Sequence, residues 1–124
     1  QIFLPQVKDE LSYSLSFLKI NEKEKEKRLS ETAALFSLSL SDTASLMSYG
    51  ERKRLQSAIY YSLDRPFYIL DELDSALTYK ESISILEKLS RNGAGILLIT
   101  HDDDFASAVA DRGYRAKEGR IYEE

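Results

Sequence analysis

Asp71 and Glu72 stand side by side after the apolar run Phe67-Tyr68-Ile69-Leu70, and His101, the single histidine, follows the apolar run Ile96-Leu97-Leu98-Ile99. Two carboxylates in that setting have a use in nucleoside triphosphate hydrolysis. One can hold Mg²⁺ through water, because Mg²⁺ dehydrates reluctantly. The other can orient or deprotonate an attacking water. A histidine on a neighbouring strand end can donate a hydrogen bond to the γ-phosphate as charge builds there. Each piece alone has a plainer reading. An Asp-Glu pair after an apolar run serves turns and helix caps, and a lone histidine is more often a surface or packing residue.

A further segment stands upstream of the carboxylates, Ser48-Tyr49-Gly50-Glu51-Arg52-Lys53-Arg54. Ser48 and Glu51 have the spacing of a capping box. Gly50 permits close backbone approach, and free amides at a helix start beside a serine hydroxyl also make an anion site.

These residues need elements to hold them. The two apolar runs suit buried parallel strands. Between them, Thr78-x-x-Glu81 is a capping box that opens a helix with Tyr79, Ile83, Leu86 and Leu89 inward, closed by Gly93. Strand, helix and strand form one βαβ unit, with Asp71, Glu72 and His101 at the carboxyl ends where ligands of open α/β sheets bind. Upstream, Val7, Leu11, Leu15 and Leu18 predict a helix that starts after Pro5 and ends near Asn21. The run at 22–28, EKEKEKR, reads as a solvated helix face with Glu24 and Arg28 one turn apart. Leu29, Ala33, Phe36 and Leu40 continue a helical stripe, and Ser39, Ser41 and Asp42 read as a turn. Leu55, Ala58, Ile59 and Leu63 mark a third helix, which Asp64-Arg65-Pro66 breaks. A short helix over 105–110 and a hairpin over 114–122 complete the pattern.

Composition sets the outer bounds. The chain has 124 residues, enough for one domain, with 43% hydrophobic and 31% charged residues and a net charge of −4. The acidic balance argues against a general electrostatic grip on nucleic acid. With no cysteine and one histidine, disulfides, thiolate sites, cysteine nucleophiles and multi-histidine metal sites are excluded. No apolar stretch approaches the ~20 residues of a membrane span. The first residue, Gln1, reads as an internal point of a longer protein or as the result of processing.

Taken together, the motifs resemble those of ABC ATPases. Met47-Ser48-Tyr49-Gly50-Glu51-Arg52-Lys53-Arg54 resembles the signature motif, and Phe67-Tyr68-Ile69-Leu70-Asp71-Glu72 the Walker B strand with its catalytic glutamate. Leu73-Asp74-Ser75-Ala76-Leu77-Thr78 is similar to the D-loop and Ile99-Thr100-His101-Asp102 to the H-loop. Ala110-Asp111-Arg112 and Lys117-Glu118-Gly119-Arg120-Ile121 are similar to closing segments of the core. Order and spacing agree along nearly the whole chain. Gln1-Ile2-Phe3, Pro5, Val7, Glu10-Leu11 and Tyr13 further resemble the start of the helical subdomain in energy-coupling-factor and cobalt-type importer ATPases.

The resemblance implies an α/β fold that is part of a P-loop NTPase: a helical subdomain with the signature over 1–65, and the C-terminal part of the ATPase core over 66–124. The sequence has no Gly-x-x-x-x-Gly-Lys-Ser/Thr motif, so the P-loop lobe is expected to be missing and the isolated chain inactive. In the family, ATP is sandwiched between two head-to-tail domains. The implied roles are Mg²⁺ at Asp71, catalysis at Glu72 and His101, and contact with the partner's ATP at Ser48, Tyr49, Gly50 and Glu51. Ser75, Ala76, Leu77 and Thr78 form the D-loop. The implied partners are a second such domain and a transmembrane subunit at the cytoplasmic face of the membrane, with a vitamin or metal ion as cargo. Three residues depart from the pattern: Tyr49 for the first signature glycine, Leu73 for the proline after the glutamate, and Thr78 for the D-loop aspartate. A Rad50 or SMC-type lobe is the alternative, since Asp71-Glu72-Leu73-Asp74 resembles its Asp-Glu-Val-Asp. A third reading is a non-enzymatic fragment kept as a structural or dimerisation partner. With no third strand of comparable quality, 96–99 is expected to leave an open apolar edge.

Overall fold

The computed structural model describes residues 5–123. Gln1-Ile2-Phe3, on which part of the narrower resemblance rests, lies outside them. Helix α1 (Val7–Leu15) buries Val7, Leu11 and Leu15 completely. Its first amides are met from a distant loop, since the N–H groups of Val7 and Lys8 donate to the carbonyls of Asp42 and Leu40 at 2.8 and 3.1 Å. That settles donors which a helix start otherwise leaves unpaired. The helix stops short of Leu18. Asn21 does not end it but opens helix α2 (Glu22–Leu35), its side chain accepting the Glu24 N–H at 2.8 Å. The charged run is an exposed face of α2, with Arg28 Nε 3.2 Å from Glu24 Oε1. This helix ends at Leu35 because Ser37 turns left-handed (φ 54°) and Leu38 N–H closes back on the Ala33 carbonyl at 2.8 Å. Leu40 therefore lies beyond the helix whose stripe it was expected to extend.

A 3₁₀ turn at Ala44–Leu46 leads into helix α3 (Tyr49–Leu63). Its buried face holds Leu55, Ser57, Ala58 and Ser62, with Ile59 and Leu63 only partly covered. The two buried serines donate to carbonyls one turn back, Lys53 at 2.8 Å and Ala58 at 2.9 Å, so neither hydroxyl is left unpaired. Asp64 ends the helix in the left-handed conformation.

Strand β1 (Phe67–Asp71) pairs in parallel with β2 (Gly95–Ile99), Asp71 opposite Ile99. Between them lie α4 (Leu73–Ala76), a single turn the sequence reading did not anticipate, and α5 (Tyr79–Ser90). The capping box of α5 forms as expected, with Glu81 N–H to Thr78 Oγ1 at 3.1 Å and Thr78 N–H to Glu81 Oε1 at 3.2 Å. The inward face is Ser82, Ile85 and Leu89. Tyr79, expected inward, is exposed, its ring set edge-on against buried Phe105 at 6.0 Å. Gly93 is left-handed (φ 77°) and donates its N–H to the Ser90 carbonyl.

The expectation of strands buried on both faces is corrected. Tyr68 and Leu70 face the core, whereas Phe67 and Ile69 on β1, and Leu97 and Ile99 on β2, face outward and are about half exposed. Helices cover one side of this sheet only, and among the described residues no third strand joins it. The core is one cluster running from Val7 and Leu11 on α1 through Leu55 and Ala58 on α3 to Leu70, Ile85 and Leu89. Helix α6 (Asp103–Val109) starts earlier than expected because Asp102 Oδ1 accepts the Phe105 N–H at 3.0 Å. The hairpin β3 (Tyr114–Lys117) and β4 (Arg120–Glu123) turns through Glu118 and Gly119. Both have positive φ, as the two-residue turn that fits strand twist requires.

Candidate functional site

The carboxyl ends of β1 and β2 carry the chemistry. Glu72 follows β1 and hooks to the neighbouring strand, its N–H donating to the Ile99 carbonyl at 2.7 Å. Its backbone is left-handed, φ 52° and ψ 43°, a conformation that costs a non-glycine residue about 1–2 kcal/mol. Hydrogen bonds hold it there: Ser75 donates to the Glu72 carbonyl from its N–H at 3.2 Å and from its hydroxyl at 2.8 Å. Backbone strain of this kind gathers at functional sites.

His101 Nε2 lies 2.9 Å from Glu72 Oε1. The histidine side chain is 90% exposed and the glutamate 39%, so the contact is screened and adds little stability. Both groups are open to a ligand. Asp71 ends β1, exposed; its carbonyl accepts Lys53 Nζ at 2.7 Å, while its carboxylate makes no hydrogen bond or ion pair among the described residues. Among the described residues no three acidic or histidine side chains cluster to enclose a metal. One free carboxylate beside a second fits a Mg²⁺ that keeps most of its water, and does not fit a site built wholly from protein ligands.

The segment at Ser48 sits at the start of α3. Its capping box is formed, with Glu51 N–H to Ser48 Oγ at 3.2 Å and Ser48 N–H to Glu51 Oε1 at 3.3 Å. These bonds hold the Glu51 carboxyl below the ordinary carboxylate range. Two of the amides at this helix start are thus already used, and the Ser48 hydroxyl is an acceptor within its own helix. Tyr49 is exposed, with Lys53 Nζ 5.5 Å from its ring centre. Gly50 packs on the turn after β1: a Cβ placed there would meet the Ala76 carbonyl oxygen at 2.7 Å. The structure therefore joins Gly50 to Ala76, and Lys53 to Asp71, while Glu72 and His101 form a separate contact. Ser75 and Thr78 are exposed, and Ala76 and Leu77 half-buried.

One contact beside the site has no counterpart in the sequence pattern. Thr100 Oγ1 donates to Asp74 Oδ2 at 2.9 Å. The two residues are far apart in the chain and each has an ordinary local role, so no short-range pattern marks them as partners.

No protein-family model matches the chain. Among curated proteins, it is 31% identical over 128 aligned positions to an ABC transporter ATP-binding protein of Listeria monocytogenes, across 98% of this chain and 47% of the relative. The energy-coupling factor transporter ATP-binding protein EcfA1 of Thermotoga maritima is 32% identical across 85% of the chain and 42% of the relative. Among solved structures, CbiO1 of Clostridium perfringens, part of the ABC transporter complex CbiONQ, superposes with a TM-score of 0.74 at 27% identity, over 98% of this chain and 51% of that one. The chain is a relative of ABC transporter ATP-binding proteins, energy-coupling factor subunits among them, and its fold is part of the ABC ATPase fold. It spans about half the length of the relatives it matches.

Proposed function

We propose that this chain is the part of an ABC importer's ATP-binding subunit that supplies the catalytic carboxylate, the γ-phosphate histidine and the signature motif. The observation that carries the reading is the meeting of Glu72 and His101 at 2.9 Å beside a free Asp71 carboxylate, in a chain related along its length to such subunits. Residues 1–65 form the helical subdomain and 66–124 the C-terminal part of the ATPase core.

Glu72 takes up or orients the proton of a water that attacks the γ-phosphorus, with ADP as leaving group. His101 turns from Glu72 and donates Nε2–H to a γ-phosphate oxygen as charge grows there. Its exposure leaves that turn unobstructed. Asp71 would hold a Mg²⁺ that keeps most of its water, and the ion would supply positive charge against the phosphates. Ser48, Tyr49, Gly50 and Glu51 face ATP held by a second domain in a head-to-tail dimer, with Ser75, Ala76, Leu77 and Thr78 at the same junction. Thr78 lacks the carboxylate of the usual D-loop, which makes this junction the weaker part of the site.

The P-loop lies outside this sequence in the reading, so 124 residues alone bind no nucleotide productively. The subunit sits against a transmembrane partner at the cytoplasmic face, and the cargo is a vitamin or metal ion. The cargo class rests on the resemblance to energy-coupling-factor and cobalt-type importer ATPases, and an energy-coupling factor subunit and a component of CbiONQ are among the relatives. The Rad50 and SMC alternative draws no support from the relatives found.

The test is Glu72→Gln in the domain complete with its P-loop. ATP binding should persist, turnover should fall at least about 100-fold, and an ATP-bound dimer should accumulate. Turnover at the parent rate overturns the assignment.

A further inference from the structure

We propose that Asp74 and Thr100 act as a pair of positioning residues that fix His101 for the γ-phosphate. This rests on the ATPase reading of the Glu72–His101 site.

His101 has a 90% exposed side chain, so packing does not set its direction. Its backbone must be held from either side, and one hydroxyl does this. Thr100 Oγ1 accepts the Asp102 N–H at 3.0 Å and donates its own proton to Asp74 Oδ2 at 2.9 Å. The loop is thereby closed around His101, with Thr100 before it and Asp102 after it. Asp102 in turn caps α6 through Phe105 N–H, and Phe105 is buried. The chain of contacts runs from a packed aromatic, through both neighbours of His101, to a carboxylate on α4.

Asp74 stands two residues after Glu72. Glu72 N–H already grips β2 at the Ile99 carbonyl. The same short turn therefore holds the end of β2 at two points: the Ile99 carbonyl, which closes the strand, and the Thr100 hydroxyl just after it. Glu72 and His101 are placed by one rigid junction.

The carboxylate at position 74 has a cost that points the same way. Oδ1 of Asp74 is buried with no hydrogen-bond partner among the described residues. A half-satisfied buried carboxylate is less stable than an apolar side chain of similar size. What the carboxylate provides is an acceptor strong enough to orient the Thr100 hydroxyl toward α4, which leaves that oxygen's lone pairs for Asp102 N–H.

The experiment measures ATP turnover in the domain complete with its P-loop. Thr100→Val keeps the shape of the side chain and removes the hydroxyl; Asp74→Ala removes the acceptor. Asp74→Ala should lower kcat about tenfold, the effect of one lost positioning hydrogen bond, and Thr100→Val, which loses the Asp102 N–H contact as well, at least as much, each with KM for Mg-ATP within about twofold of the parent. Thr100→Ser and Asp74→Asn keep a hydroxyl and an acceptor oxygen and should restore most of kcat. The double variant Asp74→Ala/Thr100→Val should be no slower than Thr100→Val alone, because the one contact that Asp74→Ala breaks is already lost there. Where Asp74→Ala fails to fold, Thr100→Val carries the test alone. Parent-like kcat in Thr100→Val, or losses that multiply in the double variant, overturns the proposal. Glu72→Gln is assayed alongside. An inactive Glu72→Gln with an unaffected Thr100→Val removes only this inference, whereas an active Glu72→Gln removes the ATPase reading on which it stands.

Discussion

Nε2 of His101 lies 2.9 Å from Oε1 of Glu72, each residue just past the end of one of two paired parallel strands. Strand register produces the contact. Asp71 is opposite Ile99, so Glu72 lies level with Thr100, one residue before His101, and the Glu72 N–H bond to the Ile99 carbonyl at 2.7 Å ties the two strand ends together. Because both side chains reach solvent, the pair stores little energy and holds two reactive groups ready at one edge.

His101→Ala separates activity from stability. If His101 is the donor to the γ-phosphate that we propose, its loss in a domain complete with a P-loop should lower kcat by about 10²–10³. The fold should lose no more than about 1 kcal/mol, since the partner contact is exposed. Turnover and a urea midpoint on the same preparation check both. A large loss of stability with little change in kcat would make His101 a structural residue.

Gly50→Ala should destabilise by about 1–3 kcal/mol, the range for overpacking. The added Cβ would stand 2.7 Å from the Ala76 carbonyl oxygen, and backbone cannot swing aside. Gly95→Ala is the contrast. Its Cβ would meet the Phe67 ring at 2.9 Å, but that ring is exposed and free to turn, so the change should cost less. Denaturant midpoints of the two variants should rank in that order.

Local signals in the sequence were reliable where one residue type does one job. Ser48 with Glu51 and Thr78 with Glu81 both formed the boxes their spacing predicts, and Gly119 sits in the hairpin turn. Ends set by competition were not legible. Leu18 and Leu40 fit helical stripes, yet Asn21 capped the next helix and Ser37 turned left-handed first. The faces of β1 and β2 were misread because a continuous apolar run carries no record of which side is covered. Of the candidate site, Asp71, Glu72 and His101 are legible as polar residues closing two apolar runs, and the structure brings Glu72 and His101 together. Asp74 and Thr100 were not paired, since a long-range hydrogen bond between common residues leaves no spacing to read.

Acid should loosen the starts of α3 and α5 together. The capping bonds from Ser48 and from Thr78 hold the Glu51 and Glu81 carboxyls below their ordinary value of 4.5. The unfolded chain therefore takes up protons first as pH falls. The stabilisation is fully present above about pH 4.5 and is lost as pH drops through the lower, folded values. Unfolding midpoints from about pH 6 to pH 3 should show this decline, and Glu51→Gln/Glu81→Gln should flatten it. An unchanged slope in the double variant would assign the acid sensitivity to other carboxylates.

A polypeptide of these 124 residues, made alone, should self-associate through the open face of its sheet. Phe67, Ile69, Leu97 and Ile99 are 56, 55, 47 and 45% exposed, and Ile69 pairs directly with Leu97. Parallel sheets are ordinarily covered on both sides, and contiguous apolar surface drives association. The strand edges add unpaired backbone groups. The open apolar surface is thus broader than the edge of 96–99 alone. Light scattering over a dilution series should show mass rising with concentration. Ile69→Thr with Leu97→Thr should suppress it while leaving the fold intact, because threonine suits a strand and neither side chain reaches the core. A monomer at all concentrations in the parent chain, or unchanged association in the double variant, would show that this face does not drive contact between copies.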